Sequence, residues 1–303
     1  MSDAPHPFTL RQLQYAVAVA DTLSFRRAAE RCRVSQPSLS TQLAQLEDAL
    51  GVRLFERDRR RVLVTAAGAG LLDAARRVLV GADDLVETAR RAGDPLSGTL
   101  RVGVIPTISP YLLPPASPAI RAAYPRLKLV WLEDKTEVLV ARLRAGALDA
   151  ALLALEADLG EVDHEEIARD PFVLAAPRGH PLAERSGPAT PAELRGADVL
   201  LLDDGHCLRA QALEVCSKAR AHELAFRATS LPTLVQMVAS GAGVTLLPRL
   251  ALPAEGRKEL KLRPFAPPAP HRTLALVWRR HAPLGPALRR LAGTIREAYP
   301  DHK

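Results

Sequence analysis

Aromatic side chains are scarce: six Phe, four Tyr and two Trp make up 4% of 303 residues. Cores must therefore be filled by Leu, Val and Ala, and the hydrophobic fraction of 48% supplies them. Cysteine is scarcer still, at three, too few for the disulfide framework of a small secreted domain. No apolar span is uninterrupted. The longest uncharged run, Val102 to Ile120, holds Pro106, Pro110, Pro114, Pro115 and Pro118, and a lipid-exposed helix does not tolerate prolines in that number. The opening MSDAPHPFTL carries an acid and two prolines where a signal peptide has a basic start and an apolar run. The expectation is a cytoplasmic protein, with no membrane partner, in which any disulfide is transient.

The length suits two domains, one small and one two-lobed. A net charge of +7 permits nucleic-acid contact without establishing it. Near the start, Leu10, Leu13, Val17 and Ala20 recur at helical spacing. Ser24 can cap a short second helix whose small buried face is Ala28, Ala29 and Cys32. After Arg33-Val34-Ser35 a third helix starts near Gln36, with Pro37 in its first turn and Leu39, Leu43, Leu46 and Leu50 on one face, and Gly51 ends it. Its other face, Ser38, Thr41, Gln42 and Gln45, offers hydroxyls and amides that can read base edges. Arg53, Arg57, Arg59, Arg60 and Arg61 surround a strand-like run that reads as a basic hairpin for phosphates. Each feature alone also fits an ordinary solvated surface; two helices joined by a short turn, with a basic wing beside them, favour DNA binding.

Leu71, Ala75, Val78, Ala82, Leu85 and Ala89 step by four and three, a heptad seam for a dimerisation helix over 66–92. Turn residues over 93–98 then make a hinge. From 99 onward, strand-like runs (Leu100–Ile105, Leu127–Leu132, Ala150–Leu155, Phe172–Ala176, Val199–Leu202, Phe226–Ser230, Val244–Leu247, Thr273–Trp278) alternate with helical patterns. That alternation implies an α/β domain with mostly parallel sheets. Gly241-Ala242-Gly243 precedes a strand rather than a helix, so it reads as a turn and not a phosphate cradle.

The cysteines carry the chemistry. Leu208, Ala212 and Val215 give helical periodicity, placing Cys207 at or near a helix N-terminus beside His206 and Arg209, which favours thiolate. Asp203 and Asp204 push the other way, and the sequence leaves the balance open. Cys216 lies nine residues further on. Along an intact helix that is roughly 13–14 Å of rise, whereas a disulfide needs Cα atoms within about 7 Å. A Cys207–Cys216 bond therefore requires part of the helix to unwind. His206, Cys207 and Cys216 match no common zinc spacing, so no metal and no cofactor is expected. The alternative for both thiols is plain burial, and Cys32 reads that way outright.

Phe25-Arg26-Arg27-Ala28-Ala29-Glu30, Ser35-Gln36-Pro37-Ser38-Leu39-Ser40, Leu46-Glu47, Leu50-Gly51, Leu54-Phe55-Glu56-Arg57 and Thr65-Ala66-Ala67-Gly68 resemble the winged helix-turn-helix of LysR-type transcription regulators. The resemblance implies a DNA-binding domain at 8–65 and a periplasmic-binding-protein-like regulatory domain at 99–303, with lobe I at about 99–171 and 273–303 and lobe II at about 172–272. It implies promoter DNA read by a homodimer that assembles to a homotetramer and works on RNA polymerase, with Gln36, Pro37, Ser38, Thr41, Gln42, Arg57, Arg59 and Arg60 as contacts.

Gly205-His206-Cys207-Leu208-Arg209, Gln211-Ala212 and Cys216 further resemble the redox centre of the peroxide-sensing members of that family, as do Ile105-Pro106-Thr107, Pro110-Tyr111-Leu112-Leu113-Pro114, Phe226 to Leu231 and Arg272-Thr273. This implies that Cys207 is oxidised by hydrogen peroxide, that Cys216 resolves it, and that a cellular thiol reductant resets the pair. It also implies that Thr107 and Thr136 hold the peroxide while His206, Arg209 and Arg272 polarise the site. Where such members commonly carry an acid, this chain has Ala210. Two other functions compete: a regulator answering a small metabolite in the cleft, and a thiol peroxidase. A helix-turn-helix has no purpose in a pure enzyme, so a non-enzyme that activates oxidative-stress genes is expected.

Overall fold

A computed structural model describes residues 6–57, 62–90, 94–256 and 258–300. The chain divides into two compact units, 1–90 and 91–303.

In the first unit, Thr9 opens α1 (Leu10–Thr22): its hydroxyl accepts from the Gln12 amide at 3.2 Å while Gln12 Oε1 accepts from the Thr9 amide at 2.8 Å. Ser24 and Ser35 likewise accept from the third amide of α2 (Phe25–Cys32) and α3 (Gln36–Leu50). Leu39, Leu43 and Leu46 of α3 fill a core with α1 and α2. The wing pairs β1 (Phe55–Arg57) with β2 (Val62–Val64) in antiparallel register. Glu47, which periodicity alone would leave on the surface, is buried: its Oε1 accepts from the amides of Leu54 and Phe55 at 2.8 and 3.2 Å. One carboxylate thereby fixes where the wing leaves α3.

Thr65 joins the wing to α4 (Ala66–Arg90), donating to Arg53 O at 2.7 Å and accepting from Gly68 N at 2.8 Å. A Cβ at position 68 would sit 2.4 Å from the Leu54 carbonyl oxygen, which only glycine avoids. Gly68→Ala should therefore cost about 1–3 kcal/mol, as overpacking does, and show as a lower melting temperature by circular dichroism with weaker DNA binding. An unchanged melt would mean that the Leu54 backbone yields freely. The heptad seam on α4 is shared: Ala75, with Leu72, is buried in this unit's own core, whereas Val78 and Leu85 are exposed. Ala89's side chain lies outside the described residues.

The second unit runs β3 (Gly98–Val104), α5 (Ser109–Ala123), β4 (Leu127–Glu133), α6 (Thr136–Arg144), β5 (Ala150–Ala154), β6 (Val162–Pro177), α7 (Pro181–Glu184), β7 (Asp198–Leu202), α8 (Cys207–Ala219), β8 (His222–Ala228), α9 (Leu231–Ala239), β9 (Thr245–Pro248), α10 (Leu252–Glu255), β10 (Leu260–Pro264), β11 (His271–Arg279) and α11 (Gly285–Glu297). Its large sheet has the order β10-β6-β11-β5-β3-β4, with β9 also on β6, and β7 pairs with β8 separately. The expected alternation is present, and so is the mixed α/β class.

The expectation of mostly parallel sheets is corrected. In the large sheet only β3–β4 and β3–β5 are parallel; β6 pairs antiparallel with β9, β10 and β11, and β11 with β5. The reason is that β6 and β11 are not crossover strands. β6 pairs with β11 along Val162–Pro171 and then with β9 and β10 along Phe172–Pro177, carrying the chain straight from one lobe to the other. The charged half of β6, Asp163 to Glu166, has no apolar alternation to announce it. Among the described residues no helix is long and apolar enough to cross a membrane.

Candidate functional site

The DNA-facing candidates are set by the phase of α3. With Leu39, Leu43 and Leu46 inward, Gln36, Pro37, Ser38 and Thr41 are exposed and Gln42 is half-buried beside them. Arg53, the first of the wing arginines, pairs with Glu47 at 3.2 Å. The side chain of Arg57, and Arg59 and Arg60 entirely, lie outside the described residues.

The second candidate site forms where α8 begins. After β7 the chain turns through Asp203-Asp204-Gly205, with Gly205 at φ +86°, and His206 precedes Cys207, the first residue of α8. Cys207 and Cys216 are free thiols on one unbroken helix. Cys216 is buried, and burial, followed by the nearby Glu223 carboxylate, pushes its pKa up to about 12. It is a protonated thiol at neutral pH.

Cys207 is half-buried, and burial raises its pKa as well. Three groups oppose this: the Arg272 guanidinium, the Thr136 hydroxyl and the Leu208 amide; Glu156 adds to the rise. Thr136 comes from the other lobe at the start of α6, and its buried Oγ1 has no hydrogen-bond partner of ordinary geometry, the Cys207 sulfur being the group it faces. Arg272 is fully buried on β11. Its Nε donates to Asp170 Oδ2 at 2.9 Å, Nη1 to Thr107 Oγ1 at 2.8 Å and Nη2 to Thr107 O at 3.0 Å. Asp170 Oδ1 in turn accepts from Leu250 N at 2.9 Å. A thiol, two hydroxyls and one rigidly held cation thus meet between the lobes, which is the equipment for binding a small polar oxidant and stabilising a leaving hydroxide.

Residues 10–69 match the bacterial regulatory helix-turn-helix protein, lysR family, and residues 93–300 match the LysR substrate binding domain. The chain belongs to the LysR family. It is 45% identical over 290 residues to a hydrogen peroxide-inducible genes activator of Pectobacterium carotovorum, covering 95% of this chain and 96% of that one. It is 44% identical to the DNA-binding transcriptional dual regulator OxyR of Escherichia coli, covering 97% and 96%. Among solved structures, a full-length OxyR variant from Pseudomonas aeruginosa superimposes with a TM-score of 0.75 at 37% identity, covering 96% of each chain.

Within this LysR-family frame, the structure brings Cys207, Thr136, Arg272 and Thr107 together. Two of the other site residues behave differently from the expectation. His206 is buried, and burial, then the Lys135 charge, hold its pKa below the ordinary value against the pull of Asp203, so it adds no positive charge at neutral pH. Arg209 turns to other partners: Asp204 Oδ1 at 2.8 Å, Glu223 Oε1 at 2.7 Å and Leu202 O at 3.3 Å. Two carboxylates answer its charge, and it fastens α8 to β7 and β8. The thiolate-favouring effect assigned to these two neighbours in sequence therefore comes from Arg272 instead. Ala210 is exposed, so an acid there would face solvent in the first turn rather than the thiol.

Four contributors escape sequence reasoning: Asp170, Glu156, Gln211 and Lys135. Asp170 is 102 residues from its guanidinium partner, and nothing local marks it. Glu156 accepts from Thr273 N at 2.7 Å and from Gln211 Nε2 at 3.2 Å, tying α8 to the opposite lobe. Of these, Gln211 alone carries a signal in sequence, its place within the cysteine motif, and the structure buries it.

Proposed function

We propose that this LysR-family regulator is a cytoplasmic, nucleoid-associated transcription activator switched by hydrogen peroxide through a Cys207–Cys216 disulfide. The observation that carries the reading is the position of Cys207: the first residue of α8, facing Thr136 and the buried Arg272, with its partner thiol on the same helix. The relatives named as hydrogen peroxide-inducible genes activators support the choice of oxidant.

Peroxide binds with its oxygens on Thr107 and Thr136. Cys207 ionises, its thiolate attacks one oxygen, the O–O bond breaks, and the departing hydroxide takes up the proton the thiol released and leaves as water. Sulfur is oxidised to sulfenic acid and peroxide is reduced. Arg272, held by Asp170, stabilises the negative charge that moves to the leaving oxygen; neutral His206 serves as a hydrogen-bonding group. The Cys216 sulfur then attacks the sulfenic sulfur, a second water leaves, and the disulfide closes. Since the thiols begin on one helix, closing it unwinds the first turns of α8 and releases Arg209 from Asp204 and Glu223. A cellular thiol reductant reverses the bond. Peroxide is consumed in proportion to protein, so the chain acts as a sensor and not as an enzyme. Gln36, Pro37, Ser38, Thr41, Gln42, Arg57, Arg59 and Arg60 contact promoter DNA, with two chains pairing along α4, two pairs forming a tetramer, and RNA polymerase as the downstream partner.

The test treats purified full-length protein with one equivalent of peroxide, maps disulfides by mass spectrometry and footprints promoter DNA. The expected result is one Cys207–Cys216 bond and a shifted footprint, both reversed by dithiol. Reduced cysteines with a footprint that moves for a metabolite would sink the proposal.

A further inference from the structure

The turn that delivers Cys207 into α8 is held from the opposite lobe by one side chain. Lys135, the residue before α6, sends its Nζ to Asp204 O at 2.6 Å and to within 3.6 Å of Asp203 Oδ2. Gly205 makes room for it: a Cβ there would sit 2.8 Å from Lys135 Cδ. The next residue, Thr136, faces the sulfur itself. One two-residue step of lobe I therefore grips both the thiol and the turn that carries it.

Arg209 secures this end of the helix to its own lobe, and the next tie across the cleft, Gln211 to Glu156, lies further along α8. His206 makes no side-chain cap to α8, and the first turn holds no acid that would favour the helix dipole. Asp204 directs its carboxylate to Arg209 and Arg227 within lobe II, which steadies the turn against its own lobe but not across the cleft. The disulfide cannot close while Cys207 stays at Thr136, because Cys216 is on the far turns of the same helix.

We propose that Lys135 is a positioning residue that latches the Asp203–Gly205 turn to lobe I and so sets how fast the Cys207–Cys216 bond closes, without taking part in the oxidation of Cys207. This rests on the peroxide-switch reading above. The latch is an ion pair of two partly exposed groups plus one charge-assisted hydrogen bond to a carbonyl, so its strength is modest and sensitive to salt.

The experiment separates the two chemical steps. Sulfenic-acid formation is timed in a Cys216→Ser background with a trapping nucleophile, and closure is timed by acid quench and thiol counting in the chain with both cysteines. Lys135→Met and Asp203→Asn should each speed closure about two- to fivefold, the size expected of such a pair. Combining them should add nothing beyond the faster single variant, and Lys135→Arg should restore the wild-type rate. Added salt should accelerate wild type and leave Lys135→Met unmoved. Hydrogen exchange of the Gly205–Arg209 amides, measured on reduced protein without peroxide, should rise in Lys135→Met. Closure and exchange both unchanged in Lys135→Met, in a protein whose wild type forms the disulfide, overturn the latch alone. A change confined to the sulfenic-acid step overturns it too. A wild type that forms no Cys207–Cys216 bond overturns the switch, and the role of the latch with it.

Discussion

Cys207→Ser should abolish the peroxide response altogether while DNA affinity in the reduced state stays at the wild-type level. Serine fills nearly the same space and can meet the Thr136 hydroxyl, so α8 should keep its place; what is lost is the sulfur that faces Arg272. Cys216→Ser should differ in kind, stopping at sulfenic acid, because Cys216 is buried and protonated and takes no part in the first step. The raised pKa of Cys207 adds a pH signature. Below that pKa the thiolate fraction climbs about tenfold per pH unit, so the oxidation rate at fixed peroxide should rise steeply between pH 6 and about 9. Stopped-flow oxidation over that range is the measurement. A rate that is flat in pH would mean that a thiolate is already formed, and loss of DNA binding in Cys207→Ser would make the residue structural.

The parts of this protein that could be read in advance are those written in consecutive residues. The cap at Ser24, the leucine face of α3 and the nine-residue interval between the thiols are local patterns, and local hydrogen bonding and helical pitch fix their meaning. The Thr65–Gly68 run was visible as a signature, but its cause, the Leu54 carbonyl beneath Gly68, needed the fold. Electrostatic roles were the least legible. Adjacency in sequence suggested Arg209 and His206 as the groups acting on Cys207, yet on α8 Arg209 leaves from another side and meets Asp204 and Glu223, while burial keeps His206 neutral. The effective cation arrives from β11 and its counter-ion from β6, strands whose antiparallel register sets Arg272 opposite Asp170. Charge neighbours in a two-lobed domain are decided by strand order, which no single segment encodes.

That strand order makes Asp170 the position where one substitution should do the most damage to the fold. Asp170 and Arg272 are both fully buried, and the carboxylate satisfies two donors at once, Arg272 Nε at 2.9 Å and Leu250 N at 2.9 Å. Asp170→Ala strands a guanidinium and an amide in a dry interior, so it should destabilise the regulatory unit by about 3–5 kcal/mol, the cost of breaking rather than replacing a buried pair. Asp170→Asn keeps the shape and one good acceptor and should cost less, since it loses the charge but can still take one of the two N–H groups. Both tryptophans, Trp131 and Trp278, belong to this unit, so urea unfolding followed by fluorescence reports it without interference from the DNA-binding unit. The same substitution should slow sulfenic-acid formation, because Arg272 freed from Asp170 no longer holds its place between Thr107 and the thiol. A loss below about 1 kcal/mol in Asp170→Ala, a size typical of an exposed pair, would show that water reaches Arg272 and that the strut between β6 and β11 is not what orients it.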